Sequence, residues 1–260
     1  MNKYFITSDV HSFYNELMYA LNEKGFDNNN PEHKLIICGD VFDRGEHSKD
    51  LYKFLKSLGD RFIYIRGNHE DLLKSCVEEI SLGKYLANYH FSNGTVKTIC
   101  QLTGVDLYDW TSYNINAVNK VCTVMQPILE WIDKKAIDYY ELNNYIFVHG
   151  WVPCDSDDPI IYHANKKMTL IPRENWDKSN WEEARWINGM LAWKQGNIIP
   201  NKTIVCGHWH SSFGNSKYHK DGEEFGETSN FKPFIDEGII AIDGCVAYSG
   251  FLNCIVIEEK

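Results

Sequence analysis

The chain has 260 residues, 43% hydrophobic and 24% charged, enough for one large core or two small ones and ordinary for a globular protein. A formal net charge of −10 excludes a broad nucleic-acid-binding surface, which needs clustered Lys and Arg, but leaves room for a small phosphate pocket. No apolar run approaches the roughly 20 residues that span a bilayer.

The N-terminus enters a strand over residues 3–8 almost at once, without the apolar stretch or cleavage site of a signal peptide. The eight cysteines form no Cys-x-x-Cys pair and read as reduced, buried thiols of a cytoplasmic protein. The first strand ends at Asp9-Val10-His11, where one intervening residue lets carboxylate and imidazole point the same way. A helix is expected from Ser12 to Lys24, with Phe13, Leu17, Met18 and Leu21 at helical spacing, Ser12 as N-cap and Gly25 as stop. The apolar run Leu35-Ile36-Ile37-Cys38 reads as a buried strand. It leads into Gly39-Asp40-Val41-Phe42-Asp43-Arg44-Gly45, a tight loop holding two carboxylates and a guanidinium.

A helix follows over residues 48–58, then a third strand, 61–65, ending at Arg66-Gly67-Asn68-His69-Glu70. Glu70 reads as a stabiliser of the next helix N-terminus. This βαβαβ beginning indicates an α/β fold with a parallel core. Residues 71–135 are helical in pattern and read as an insertion over the catalytic edge of the sheet. Tyr85, Tyr89, Phe91, Tyr108, Trp110 and Tyr113 within it are expected to pack in the core. Strands around the turn Asn143-Asn144 end at His149-Gly150-Trp151. A short helix from Asn180 to Trp193 carries Arg185, and the strand 202–206 ends at Gly207-His208-Trp209-His210. A loop over 211–236 and two closing strands, 238–243 and 251–257, complete the chain. No linker separates two domains, so residues 1–260 are expected to form one.

The strand-end loops gather Asp9, His11, Asp40, Asp43, Arg44, Asn68, His69, His149, His208 and His210, including five of the ten histidines. Carboxylates with neutral imidazoles suit Zn, Fe, Mn or Ni better than Ca or Mg. One metal cannot use all these groups, whereas two, roughly 3.5–4 Å apart and bridged by a carboxylate, can. Two cations would offset the charge of a phosphate ester and give a bridging hydroxide at neutral pH. An imidazole with a carboxylate partner could protonate the leaving alkoxide.

The ordered set Asp9-x-His11, Gly39-Asp40-x-x-Asp43-Arg44-Gly45, Gly67-Asn68-His69-Glu70, His149-Gly150 and Gly207-His208-x-His210 resembles the calcineurin-like metallophosphoesterases. The second and third motifs look most like the serine/threonine phosphoprotein phosphatase branch, which includes bacterial and phage phosphatases and symmetrical diadenosine-tetraphosphate hydrolases. The tail from Ile242-Asp243-Gly244-Cys245 to Gly250 is similar to that branch's C-terminal strand pair.

The resemblance implies a four-layer α/β/β/α sandwich with mixed sheets and a helical insertion at about 71–135. It implies two divalent metal ions, manganese foremost, with Fe, Zn or Ni as alternatives. Asp9 and His11 would bind the first metal, Asp40 would bridge, and Asn68, His149 and His208 would bind the second. His210 would complete the first site, as in the wider superfamily. Arg44 would clamp phosphate, and His69, oriented by Asp43, would protonate the leaving group. A second phosphate-binding arginine is expected; among the five arginines Arg185 is the candidate, with Arg173 the alternative. The implied substrate is a phosphorylated protein, with a dinucleoside polyphosphate as the alternative and a non-catalytic scaffold as the rival class. Two departures stand out: Trp151 replaces a usual Gly and is expected to narrow the pocket beside the second metal, and His210 stands where the branch usually has Pro.

Overall fold

The computed structural model describes residues 1–111, 114–156 and 167–259. In chain order the first half runs β1 (Lys3–Thr7), α1 (Tyr14–Glu23), β2 (His33–Cys38), α2 (Ser48–Ser57) and β3 (Phe62–Ile65). Five helices follow: α3 (Asn68–Ser81), α4 (Asn88–Ser92), α5 (Thr95–Thr103), α6 (Leu107–Thr111) and α7 (Ile115–Lys135). Then come β4 (Ala136–Ile137), β5 (Tyr140–Leu142), β6 (Tyr145–Phe147), β7 (Cys154–Ser156), β8 (Met168–Leu170), α8 (Lys178–Ala184) and α9 (Gly189–Lys194). The chain closes with β9 (Thr203–Cys206), α10 (Ser211–Gly214), β10 (Phe234–Asp236), β11 (Ile239–Ala241), α11 (Val246–Ser249) and β12 (Ile255–Glu258).

Two five-stranded mixed sheets result, ordered β12-β1-β2-β3-β4 and β10-β11-β9-β6-β5. Strands β1, β2 and β3 are parallel, as the βαβαβ pattern requires. The period-two alternation of each strand decides the layering. Tyr4, Ile6, Ile36, Cys38 and Ile65 point one way and pack with Leu142, Phe147, Val205 and Ile242 of the second sheet, so the sheets lie face to face. Phe5, Leu35, Ile37, Phe62 and Tyr64 point the other way, onto α1, α2, α3, α5 and α7. The far face of the second sheet is covered by α8, α9 and α10. The layers are therefore α/β/β/α, and strands buried on both faces explain the uninterrupted apolar runs.

Several local expectations give way. Helix α1 begins at Tyr14, because Ser12 has φ 62° and spends its hydroxyl on Ser48 instead of capping, at 2.8 Å. The helix expected over 180–193 is two: α8 stops at Ala184, and Asn188 caps α9 by accepting from the amides of Met190 and Leu191. Arg185 thus sits at the end of α8. The two closing strands join different sheets, β11 beside β9 and β12 beside β1. Tyr85, Tyr89, Phe91 and Tyr108 are exposed, and the core contacts of this segment come instead mainly from its aliphatic residues, with Cys76 and Trp131. The Trp110 side chain and Tyr113 lie outside the described residues. Among those described, no helix is long and apolar enough to cross a membrane.

Candidate metal centre and active site

The ends of β1, β2, β3, β6 and β9 converge where the two sheets meet. The first two loops are laced together by backbone hydrogen bonds from Asp9, His11 and Ser12 to the carbonyls of Gly39, Asp40 and Val41. Asp9, His11, Asp40, Asp43, Arg44 and His208 all hold left-handed φ, from 48° to 80°. This conformation costs an L-residue about 1–2 kcal/mol, so surrounding structure must enforce it.

Glu70 does much of that enforcing. Its buried carboxylate accepts from the amides of Gly67 (2.7 Å), Val41 (3.0 Å) and Asp40 (3.2 Å), tying the third loop to the second. Gly67 is required there, because a Cβ would run into the Asp40 side chain and amide.

Asp40 is the hub. Its Oδ1 accepts from the His69 amide at 3.0 Å and lies 3.3 Å from His149 Nε2. Its Oδ2 lies 3.8 Å from Nε2 of both His11 and His69. Two of these three histidines have their second nitrogen fixed by the backbone, His11 Nδ1 on the Phe42 carbonyl at 3.0 Å and His149 Nδ1 on that of Cys38 at 2.9 Å. Such bonds leave Nε2 as the coordinating atom in each ring. Asn68 Oδ1 is 2.9 Å from His149 Nε2, and the Asp9 carboxylate accepts from the His208 amide at 3.0 and 3.2 Å.

Two donor clusters follow, sharing Asp40: His11, Asp40 and His69, and Asp40, His149 and His208. Of these residues His11, Asp40, His69 and His208 line a cavity of about 140 Å³, together with Asp9, Asn68, Arg44, Leu72, Asn93, Trp186 and Asp243, while His149 lies just beneath it against Asp40. The electrostatics show the crowding. Burial and then Asp243 push the Asp9 carboxyl well up. Burial and then the neighbouring His149 push His208 down to about 3. Burial opposes charge on His149, but Asp40 overrides it and lifts the group to about 10. Buried carboxylates and imidazoles that must trade protons to coexist are a donor set divalent cations would satisfy. The residues present therefore fit a pair of divalent metals.

A second chain of contacts runs behind His69. Its Nδ1 is 2.7 Å from Asp43 Oδ2, which also accepts from Thr95 Oγ1 at 2.7 Å, while the Asp43 amide donates to Thr98 Oγ1 at 3.0 Å. Burial disfavours the imidazolium, yet Asp40 and Asp43 outweigh it and raise the His69 pKa. Arg44 stands 3.5 Å from His69 Nε2.

The structure brings together all the expected site residues except three. His210 pairs with Glu224, Nε2 to Oε1 at 2.9 Å, and does not line the cavity. Arg185 is 5% exposed and gives both terminal nitrogens to carboxylates, Asp71 and Asp138, at 2.6 Å each. It faces a neighbouring cavity of about 640 Å³ rather than the phosphate-sized one. Arg173 pairs with Glu141 at the surface. Trp151, expected beside the second metal, turns into the second core and bonds the Asn197 carbonyl at 2.9 Å, so it does not narrow the pocket. Trp186 forms that wall instead, its ring edge-on to His208 at 6.0 Å.

Sequence reasoning missed Asp243, Asn93, Thr95 and Thr98. Only Asp243 carried a signal, its place in the motif-like tail.

A family model described as calcineurin-like phosphoesterase matches residues 3–229. The symmetrical bis(5'-nucleosyl)-tetraphosphatase of Buchnera aphidicola subsp. Baizongia pistaciae is 40% identical over 70 residues, 27% of this chain and 24% of that protein. Its Proteus mirabilis counterpart is 36% identical over 80 residues, 31% and 29% of the two chains. The matched stretch thus spans 24% and 29% of the length of these curated relatives. Among solved structures, a cold-active protein-tyrosine phosphatase of a Shewanella species covers 99% of this chain, and 76% of its own length is matched. At 14% identity and a TM-score of 0.50 it shares the fold.

Proposed function

The chain belongs to the calcineurin-like phosphoesterase family, and we propose that it is a metal-dependent phosphoester hydrolase acting on nucleoside polyphosphates of the dinucleoside-tetraphosphate type. The observation that carries hydrolysis is the His69–Asp43–Thr95 chain set directly beside the Asp40-centred clusters at a cavity of about 140 Å³. The nucleotide preference is supported by the names of the curated relatives.

Asp9, His11 and Asp40 would hold one divalent cation, and Asp40, Asn68, His149 and His208 the other. His69 also lies among the donor atoms of the first cluster, but its pairing with Asp43 suits it better to proton transfer. Bound there, two cations supply charge neutralisation and Lewis acidity to the phosphoryl group. Manganese suits the mixed oxygen and nitrogen donors, as do iron, zinc and nickel. Arg44 directs its guanidinium into the same cavity, where it donates to the non-reacting phosphate oxygens. His69 holds a proton on Nδ1 toward Asp43 and presents Nε2 to the cavity, the atom that passes a proton to the departing oxygen. We read residues 1–260 as one catalytic unit in which α3 to α5 form a wall of the site. A reducing cytoplasm suits eight cysteines that are all free.

A phosphoserine or phosphothreonine protein is the second reading, favoured by the form of the Asp40-to-Gly45 and Gly67-to-Glu70 loops. Hydrolysis of diadenosine tetraphosphate, a phosphoserine peptide and p-nitrophenyl phosphate with Mn²⁺ separates them. A clear kcat/KM preference for the dinucleotide is expected; a preference for the peptide would transfer the assignment. Turnover that survives complete chelation would sink metal-dependent hydrolysis itself.

A further inference from the structure

Beside the cavity, on the Asp243 side, lies a group of rings that the chemistry above leaves unused. Phe225 and Tyr248 are 48% and 57% exposed, although each touches the buried Phe231. Their own rings meet at 5.2 Å and 78°, forming an open right-angled corner. Phe225 also contacts the His210 ring at 4.6 Å, and His210 is the residue paired with Glu224.

The corner is fixed relative to the catalytic cavity. Asp243, which lines that cavity, accepts from the Cys245 amide at 2.7 Å, and the Cys245 carbonyl accepts from the Tyr248 amide at 2.8 Å. The Phe231 carbonyl accepts from Ser211 Oγ at 2.8 Å and Asn253 Nδ2 at 2.7 Å, while the Ser211 amide returns to the Asp243 carbonyl at 2.8 Å. Phe225 is presented by a tightly folded loop in which Gly222 and Gly226 hold φ values of 77° and 137°.

The surrounding charge narrows the occupant. In the stretch around Phe225, Asp221, Glu223, Glu224 and Glu227 outnumber the lone Lys220, and the net negative charge disfavours phosphate oxygens and favours an uncharged or cationic flat group. An exposed pair of perpendicular rings offers one face for stacking and one edge for contact, the geometry aromatic partners prefer. We infer that Phe225 and Tyr248, with the His210–Glu224 pair behind them, form a nucleobase-binding corner for a nucleoside phosphate whose phosphate occupies the metal cavity. The inference deepens the nucleotide reading above and rests on it for the identity of the natural substrate, though the binding test does not.

The test is calorimetric titration of the Mn²⁺-loaded protein with AMP and with inorganic phosphate. AMP is expected to bind about 10-fold more tightly or better, the scale of one stacked base. The double variant Phe225→Ser/Tyr248→Leu is expected to lose that advantage, and Tyr248→Phe to keep it. Should the double variant fail to fold, Phe225→Leu and Tyr248→Leu singly are read the same way. Equal affinities for AMP and phosphate in the wild type, or an advantage that survives removal of the rings, overturns the corner. So does a phosphoserine peptide that outbinds AMP and depends on the same rings. Turnover of diadenosine tetraphosphate is scored separately: its absence with the AMP advantage intact rejects the substrate reading and leaves the corner standing.

Discussion

Asp40 and Glu70 show how single side chains set this site. Asp40 faces three imidazoles while its left-handed backbone is held from behind by the Glu70 carboxylate. Glu70→Ala should strip three buried amides of their acceptor, and each orphaned amide costs about 1–3 kcal/mol. Loss of about 3 kcal/mol or more is expected in denaturant unfolding, together with weaker metal binding. His69→Asn should behave differently, with near wild-type stability and metal content. Its kcat should fall about 10²–10⁴-fold on substrates with poor leaving groups, the usual worth of a positioned acid. Loss on p-nitrophenyl phosphate should be far smaller, because that leaving group departs without a proton. Equal losses on both substrates would point to a ligand role instead.

Among the elements, the break between α8 and α9 matters most. It lets the Trp186 carbonyl accept from the His208 ring and sets the Trp186 indole as the cavity wall. Arg185 holds that segment, reaching Asp71 on α3 and Asp138 between β4 and β5. The network extends through Arg66, which pairs Asp71 with Asp133 of α7, so several elements share it. Arg185→Ala should cost about 2–3 kcal/mol, less than a fully buried pair because both carboxylates are a third exposed. It should lower kcat about 10-fold with little change in KM. A rise in KM alone would restore Arg185 as a phosphate ligand.

This element also marks the limit of what the sequence makes legible. The strand-end loops were readable because apolar runs stop abruptly at Gly, Asp and His, and their order carries the family resemblance. The break at Arg185 was not, because the apolar spacing over 180–193 looks continuous and only the Asn188 cap interrupts it. Thr95 and Thr98 were equally hidden. They are ordinary polar residues of a helix, and only packing of α5 against the second loop turns them toward Asp43. His210 followed a motif of the wider superfamily, but the loop that supplies Glu224 lies beyond any spacing rule.

At the scale of the whole molecule, the site is a seam between two sheets, and metals would bind across it. Ligands on both sides couple occupancy to folding, since the unfolded chain holds no such cluster. Chelation is therefore expected to abolish turnover and to lower the melting temperature by about 5 °C or more, with Mn²⁺ restoring both. Lost activity without any thermal shift would place the metals on one sheet alone. The seam also has a timetable. The contact between the Asp9 carboxylate and the His208 amide bridges 199 residues. At ribosomal speeds that interval takes roughly 10–40 s to synthesise. Through that time the emerging polypeptide has Asp9, Asp40 and His69 but lacks the partner that closes the second cluster. Under the proposed function a half-made chain is silent toward phosphoesters, and hydrolysis is expected to start only once the last ligand has left the ribosome and found the first.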